Sequence, residues 1–124
     1  IQTYIQDGRR KMDEDLKTLP GPYEIFELPD QGKIVLRITD WKLGLIFIQT
    51  ADVPAGKEVK AMRIYLTPAT KPIGVNWYDI TSQTLIAQLL PYLEIAGYQQ
   101  KTFTITKYGV RPKARFMLEV TPWA

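Results

Sequence analysis

The chain has 124 residues and a formal net charge of +3, and it contains no histidine and no cysteine. These absences exclude Ser-His-Asp and Cys-His catalysis, histidine and thiolate metal sites, and disulfide bonds. No apolar run approaches the roughly 18 residues of a membrane span, and we therefore expect no membrane partner.

The length suits one folded domain, since a chain of this size can bury most of its apolar surface around a single core. No internal repeat, low-complexity tract or long linker divides it. The first residue is Ile1 rather than methionine, so we expect residues 1–124 to be one domain of a longer protein. The absence of cysteine is typical of cytoplasmic proteins, and we expect that location.

The apolar spacing at the start of the chain predicts a helix over residues 1–18, which Pro20-Gly21-Pro22 stops. The apolar period then changes to two, which is the period of strands. Two such strands, Tyr23–Leu28 and Lys33–Thr39, flank a turn at residues 29–32. We predict that they form an antiparallel hairpin.

Two further strands are predicted at Gly44–Thr50 and Val59–Leu66, with a short connection at residues 40–42 before the first of them. A proline-rich loop is predicted to follow at residues 67–76 and to run on through Trp77-Tyr78-Asp79. The first part of the sheet is therefore expected to be a meander of four strands.

The strongest pattern in the chain predicts a helix over Thr81–Leu93, where a serine or threonine can cap the start and leucines form one broad stripe. Pro91 is expected to kink or end this helix, and Gly97 to close what continues. Gln100–Tyr108 and Lys113–Thr121 then read as a C-terminal hairpin.

The predicted order is one helix, four strands, a second helix and two strands. We therefore predict an α+β domain with a mostly antiparallel sheet of about six strands, packed on one side by one or two helices. An OB-like closed barrel is the alternative architecture.

The positive charge is concentrated in the last quarter of the chain. Residues 97–124 carry five basic residues and one acidic residue, whereas residues 1–96 carry 11 basic and 12 acidic residues. A local excess of this kind is the usual sign of a surface that binds polyanions. A solvated, lysine-rich edge strand gives the same count, and this alternative stays open.

The alternation of side chains also assigns faces to the predicted strands. The inward set is apolar and comprises Ile34, Leu36, Ile38, Met62, Ile64, Leu66, Phe103, Ile105, Phe116, Leu118 and Val120. The outward set includes Lys33, Val35, Arg37, Arg63, Tyr65, Lys113, Arg115 and Met117. Lys107 shares the inward parity, but at a strand end its long stem can reach water.

Arginines spaced among aromatic side chains suit single-stranded nucleic acid, because cations track phosphates and aromatic rings stack on unpaired bases. Cross-strand pairing of Arg37 and Arg63 with glutamates is the alternative interpretation. No glycine-rich phosphate loop and no convergent carboxylate pair is found. We therefore predict that the chain is not an enzyme and uses no cofactor or metal.

Tyr78–Ser82 leading into the helix Leu85–Leu90, followed by Phe103–Gly109 and Pro112–Phe116, resembles the C-terminal part of phage-type and archaeal single-stranded DNA-binding or replication-accessory proteins. The similar element is a strand, a glycine turn and a returning basic-aromatic strand, over roughly a third of the chain. The resemblance implies a sheet and a basic hairpin that grip a single strand with little sequence preference. It carries over to Lys107, Tyr108, Lys113 and Arg115, and to Phe103 if that ring is exposed.

We therefore predict a protein that binds single-stranded nucleic acid, with single-stranded DNA as the favoured ligand. The predicted phosphate contacts are Arg37, Arg63, Lys107, Arg111, Lys113 and Arg115, and the predicted stacking residues are Tyr65 and Tyr108. Self-association or a replication partner is compatible with this function. The alternative is a protein-protein interaction or viral assembly domain, in which the same strands form a subunit interface.

Overall fold

The computed structural model describes residues 16–49, 51, 53–110 and 113–122. Within these residues the elements are β1 Lys33–Leu36, β2 Ile38–Ile48, β3 Lys57–Leu66, β4 Trp77–Ile80, α1 Gln83–Leu93, β5 Lys101–Tyr108 and β6 Arg115–Pro122. A short 3₁₀ turn, Tyr98–Gln100, joins α1 to β5. The predicted α+β class is confirmed. Most of the helix predicted over residues 1–18 lies outside the described residues.

The strands form two antiparallel sheets of three strands each, in the orders β1-β5-β6 and β2-β3-β4. Only Arg37 separates β1 from β2, so one run of chain leaves the first sheet and enters the second. The two sheets do not close into a barrel. The described part of the chain contains six strands, as predicted, but they form two sheets, so neither the single sheet nor the OB-like alternative is correct.

The hairpin predicted between Tyr23–Leu28 and β1 does not form. The turn itself is present, since the Gly32 backbone N–H donates to the Pro29 carbonyl at 2.8 Å, but β1 pairs with β5 instead. The preceding segment bonds elsewhere, because the Phe26 N–H donates to the Asp79 carbonyl of β4 at 2.9 Å. The order of strands before α1 therefore differs from the predicted meander.

Two stretches expected to be loops are strands. Residues 40–42 continue β2, which absorbs a shift of register between Ile38 and Asp40. Trp77-Tyr78-Asp79, expected to continue the preceding loop, belongs to β4, which pairs antiparallel with β3 over Met62–Tyr65. Both stretches are short and each contains an aspartate, which favours turns, but their aromatic side chains suit a pleated surface.

The helix α1 follows the prediction closely. The Ser82 hydroxyl accepts a hydrogen bond from the Leu85 N–H at 3.3 Å, which satisfies one of the free donors of the first turn. Pro91 does not end the helix, which continues to Leu93. Pro91 lies in the last turn and is exposed, and the Glu94 N–H still donates to the Leu90 carbonyl at 3.0 Å.

The main core lies between α1 and the inward faces of both sheets. Its fully buried side chains include Leu36, Met62, Ile64, Leu85, Leu89, Phe103 and Ile105. The predicted inward parity of the strands is therefore correct. In the part of the chain that the structure describes, no helix is long and apolar enough to cross a membrane.

The opposite face of the sheet β2-β3-β4 is covered by residues 17–26, which we name the N-terminal strap. The strap pairs with the free edge of β2, where the Leu19 N–H donates to the Leu45 carbonyl at 2.8 Å, and then with β4 through Phe26. Leu19 is buried in a second small cluster with Ile46 and Ala61. The strap therefore makes β3 buried on both of its faces.

The strap lies directly against β2 at Gly44. A Cβ atom there would lie 2.5 Å from Leu19 Cγ and 2.8 Å from the Lys17 carbonyl oxygen. Because the strap backbone would have to move, we expect Gly44→Ala to reduce the free energy of unfolding by about 1–3 kcal/mol, measured by urea denaturation. Gly21→Ala is the matched control, since its Cβ would meet only the Tyr23 nitrogen at 3.9 Å. Equal stability of the two variants would show that the strap does not pack as described.

Candidate nucleic-acid interface

The sheet β1-β5-β6 has one face in the core and one face in solvent. The side chains of the solvent face, which we name the outer face, are Lys33, Val35, Thr102, Thr104, Thr106, Tyr108, Arg115, Met117, Glu119 and Thr121. They alternate with the buried Leu36, Phe103 and Ile105, as the period of two requires. The outer face is therefore a broad surface rich in threonine, with cations at one end.

The strand register sets which of these side chains are neighbours. Tyr108 pairs with Arg115 across β5 and β6. In the next row on the same face, Lys33 pairs with Thr106, which pairs with Met117. Directly opposed side chains in antiparallel strands lie about 5 Å apart. The register thus gathers Lys33, Arg115 and Tyr108 at one end of the outer face.

The aromatic and soft apolar side chains of this region are accessible. Tyr108 is 47% exposed and Met117 is 60% exposed. Both line a shallow groove of about 450 Å³ along β6, together with Arg115 and Gln88 of α1. An accessible ring beside a guanidinium can stack on a planar group while the cation pairs with a nearby anion.

The turn between β5 and β6 carries further positive charge. Gly109 has a φ of 84°, and its N–H donates to the Asp30 carboxylate at 2.7 Å. Lys113 closes the turn by donating its backbone N–H to the Val110 carbonyl at 2.9 Å, and it is exposed. Arg111 lies outside the described residues. Lys113 and Arg115 together thus extend the basic end of the outer face.

Lys107 lies on the other side of the same sheet. It pairs with Phe116 and lines a cavity between the two sheets instead of the outer face. Phe103, a stacking residue under the family resemblance only if exposed, is fully buried. Phe103 is therefore a core residue and is not part of the interface.

Arg63 does not face solvent, and its predicted exposure is wrong. Its side chain is buried with the residue 1% exposed, and its Nε donates to Asp79 Oδ1 at 2.8 Å. Burial alone would lower the pKa of Arg63, but the hydrogen bond and the negative charge of Asp79 hold that pKa above its ordinary value. The alternation of side chains along β3 correctly placed Arg63 on the face opposite the core. The N-terminal strap covers that face, so Arg63 is buried.

The Arg63–Asp79 pair is part of a larger buried network. A second oxygen of Asp79 accepts hydrogen bonds from Arg63 Nη2 at 3.3 Å and from the Glu24 N–H of the strap at 3.0 Å. The Arg63 guanidinium also lies over the Trp77 ring, 4.5 Å from its centroid. This network joins β3, β4 and the strap, so Arg63 has a structural role.

Arg37 and Tyr65 lie apart from the basic end of the outer face. Arg37 is half-buried in the link between β1 and β2, where its Nη2 donates to the Gln99 carbonyl at 3.2 Å. Tyr65 is half-buried with its ring edge-on to Trp77 at a centroid distance of 6.0 Å. The eight predicted residues therefore do not form one surface. The structure brings together Tyr108, Lys113 and Arg115, and it adds Lys33.

Lys33 was not among the predicted contacts, although its outward parity could be read from the sequence. The missing information was the partner of β1, since the sequence pattern favoured pairing with Tyr23–Leu28 rather than with β5.

In the described ranges no group of three or more carboxylates could hold a metal ion. In comparisons with known proteins, no family model, curated protein or solved structure matches the chain.

Proposed function

We propose that the chain is a non-catalytic, cytoplasmic domain that binds single-stranded DNA on the outer face of the sheet β1-β5-β6. The observation that carries the proposal is the clustering of Lys33, Arg115 and the exposed Tyr108 at one end of that face. Lys113 in the adjoining turn extends the cluster. Cations beside an accessible aromatic ring are the pair of features that binding to a single strand needs.

The rest of the outer face supports the same ligand. Its threonines can donate hydrogen bonds to phosphate and sugar oxygens without selecting a base sequence. Glu119 is the acidic residue of this face, and it lies in the row of Val35 and Thr104. A strand bound along β5 and β6 would therefore have its tightest contacts at the hairpin end, where the charge is positive.

The second candidate function is self-association or assembly through the same sheet. Val35 and Met117 are 49% and 60% exposed on the outer face, and β6 is at the edge of the sheet order. An edge strand is a template for pairing with another chain. Gln88 of α1 occupies one backbone group of this edge, because its side-chain amide donates to the Phe116 carbonyl at 3.0 Å. That carbonyl is then less available for pairing with another chain.

The two functions differ in their response to salt. We expect a fluorescently labelled, single-stranded oligonucleotide to bind with an affinity that falls steeply between about 50 and 200 mM salt, because each neutralised phosphate releases counterions. Fluorescence anisotropy measures this affinity directly. An apolar subunit interface would hardly respond over the same range, and sedimentation of the protein alone at both salt concentrations is the control for self-association. Absence of salt-dependent binding at micromolar protein would refute the proposal.

A further inference from the structure

A cavity of about 400 Å³ opens between the two sheets beside the basic hairpin. Its walls come from the segment before β1, the end of β4, the start of α1 and the β5–β6 hairpin. The lining residues are Phe26, Glu27, Leu28, Ile80, Thr81, Ser82, Lys107, Ala114 and Phe116. The volume lies within the range of about 300–1,000 Å³ that small-molecule sites occupy.

Among the described residues that line the cavity there is one side chain of each charge. Lys107 and Glu27 both line it, but they are not paired with each other. Neither side chain has an ion pair or hydrogen bond within residues 16–49, 51, 53–110 and 113–122. Two opposite charges that share a cavity without meeting leave room for a ligand with an anionic group and a hydrogen-bond donor.

The remaining walls combine the hydroxyl side chains of Thr81 and Ser82 with apolar and aromatic side chains. The rings of Phe26 and Phe116 lie 6.4 Å apart between centroids, at an interplanar angle of 44°. They are too close and too inclined to hold a ring between them, so they form one continuous apolar wall. A planar heterocycle can pack against such a wall while its edge stays available for hydrogen bonds.

We propose that this cavity binds a single nucleotide, with its phosphate at Lys107 and its base on the wall of Phe26 and Phe116. Glu27 accepts a hydrogen bond from an exocyclic amino group of the base. Adenine, cytosine and guanine carry such a group and thymine does not, so the cavity discriminates against thymine. The choice of a nucleotide as the ligand rests on the proposed function. The cavity adds to that function a preference among bases, which the outer face does not provide.

The test is isothermal titration calorimetry of the full chain with deoxyadenosine monophosphate (dAMP) and thymidine monophosphate (dTMP). We expect dAMP to bind about tenfold more tightly than dTMP, as one charge-assisted hydrogen bond allows. Lys107→Met should weaken both ligands by about tenfold or more through loss of the phosphate contact. Lys42→Met is the matched control, because Lys42 is exposed on the sheet β2-β3-β4 and belongs neither to the cavity nor to the outer face, and it should leave both affinities unchanged.

Glu27→Gln separates base recognition from phosphate recognition. Glu27 is exposed, so this change leaves the fold intact. An amide oxygen accepts from the amino group without the charge assistance of a carboxylate, so we expect the preference for dAMP over dTMP to shrink markedly while the affinity for dTMP is retained. Equal affinities of the wild-type protein for the two ligands, or equal effects of Lys107→Met and Lys42→Met, would overturn the assignment.

Failure of the cavity and failure of the proposed function give different results. If the labelled oligonucleotide binds with salt dependence but dAMP does not bind, the cavity assignment alone is wrong. If dAMP binds with the expected variant pattern and the oligonucleotide does not, the cavity is a nucleotide site and the outer face is not a DNA-binding surface.

Discussion

Replacing Asp79 with alanine is expected to lower the free energy of unfolding by about 3–5 kcal/mol, because it leaves the buried Arg63 guanidinium without its carboxylate partner. The loss is large because Asp79 also accepts a hydrogen bond from the Glu24 N–H at 3.0 Å. Removing it therefore loosens the N-terminal strap as well as the β3–β4 pair. Urea denaturation followed by far-ultraviolet circular dichroism measures the difference.

Lys42→Ala is the matched control for this prediction. Lys42 is the register partner of Arg63 on β2 and is exposed, so its removal should change stability by no more than about 0.5 kcal/mol. A loss below about 1 kcal/mol for Asp79→Ala would contradict the structural role of the pair.

The contribution of Arg63 to stability is expected to be independent of pH over the usual working range. Its pKa in the folded protein is raised above the ordinary arginine value. A raised pKa of a base gives a contribution that is complete below the unfolded-state pKa and is lost only as the pH rises through the folded-state pKa. The guanidinium charge therefore stays in place from acidic to moderately alkaline solution.

Reversing two charges of the outer face is expected to reduce oligonucleotide affinity by roughly 100-fold or more, since each charge-assisted contact is worth about 1.5 kcal/mol at least. The variant is Lys33→Glu with Arg115→Glu, and the measurement is fluorescence anisotropy at about 100 mM salt. Both side chains are exposed, so the fold should persist. This is the largest effect on binding that the proposed interface predicts.

A second double variant separates local contacts from net charge. Lys42→Glu with Lys57→Glu changes the net charge by the same amount, but these exposed lysines belong to the sheet β2-β3-β4. We expect it to lose only the long-range attraction, which moderate salt largely screens. Equal losses in the two double variants would show that binding follows the net charge of the chain and not the outer face.

The sequence predicted those parts of the fold in which pattern and partner are local. The helix α1 and the hairpin β5–β6 lie within a residue or two of their predicted bounds, because each needs only its own apolar spacing and its own turn. The partner of β1 is not local. Its pairing with β5 joins residues that are far apart in the chain. The segment Tyr23–Leu28 has the same alternation of side chains and lies much closer to β1 in the chain, so the sequence favoured the wrong partner.

The residues of the candidate site were also predicted correctly where the local strand pattern decides their position, and incorrectly where a distant segment decides it. Parity correctly placed Arg115 outward and Lys107 inward, because one strand and its turn determine both. For Arg63 the parity was also correct, but parity does not tell whether a second layer covers the outward face. That layer is the N-terminal strap. Its few apolar side chains, such as Leu19, form no sequence pattern that predicts a segment covering the sheet.

The most direct test of the proposed interface is the salt dependence of single-stranded DNA binding by the double variant Lys113→Ala with Arg115→Ala. The slope of the logarithm of affinity against the logarithm of salt concentration reports the number of phosphates contacted. If both side chains contact phosphate, as we propose, this slope should be smaller than that of the wild-type protein by about two. A slope equal to that of the wild-type protein would contradict the proposal that the basic hairpin binds the strand.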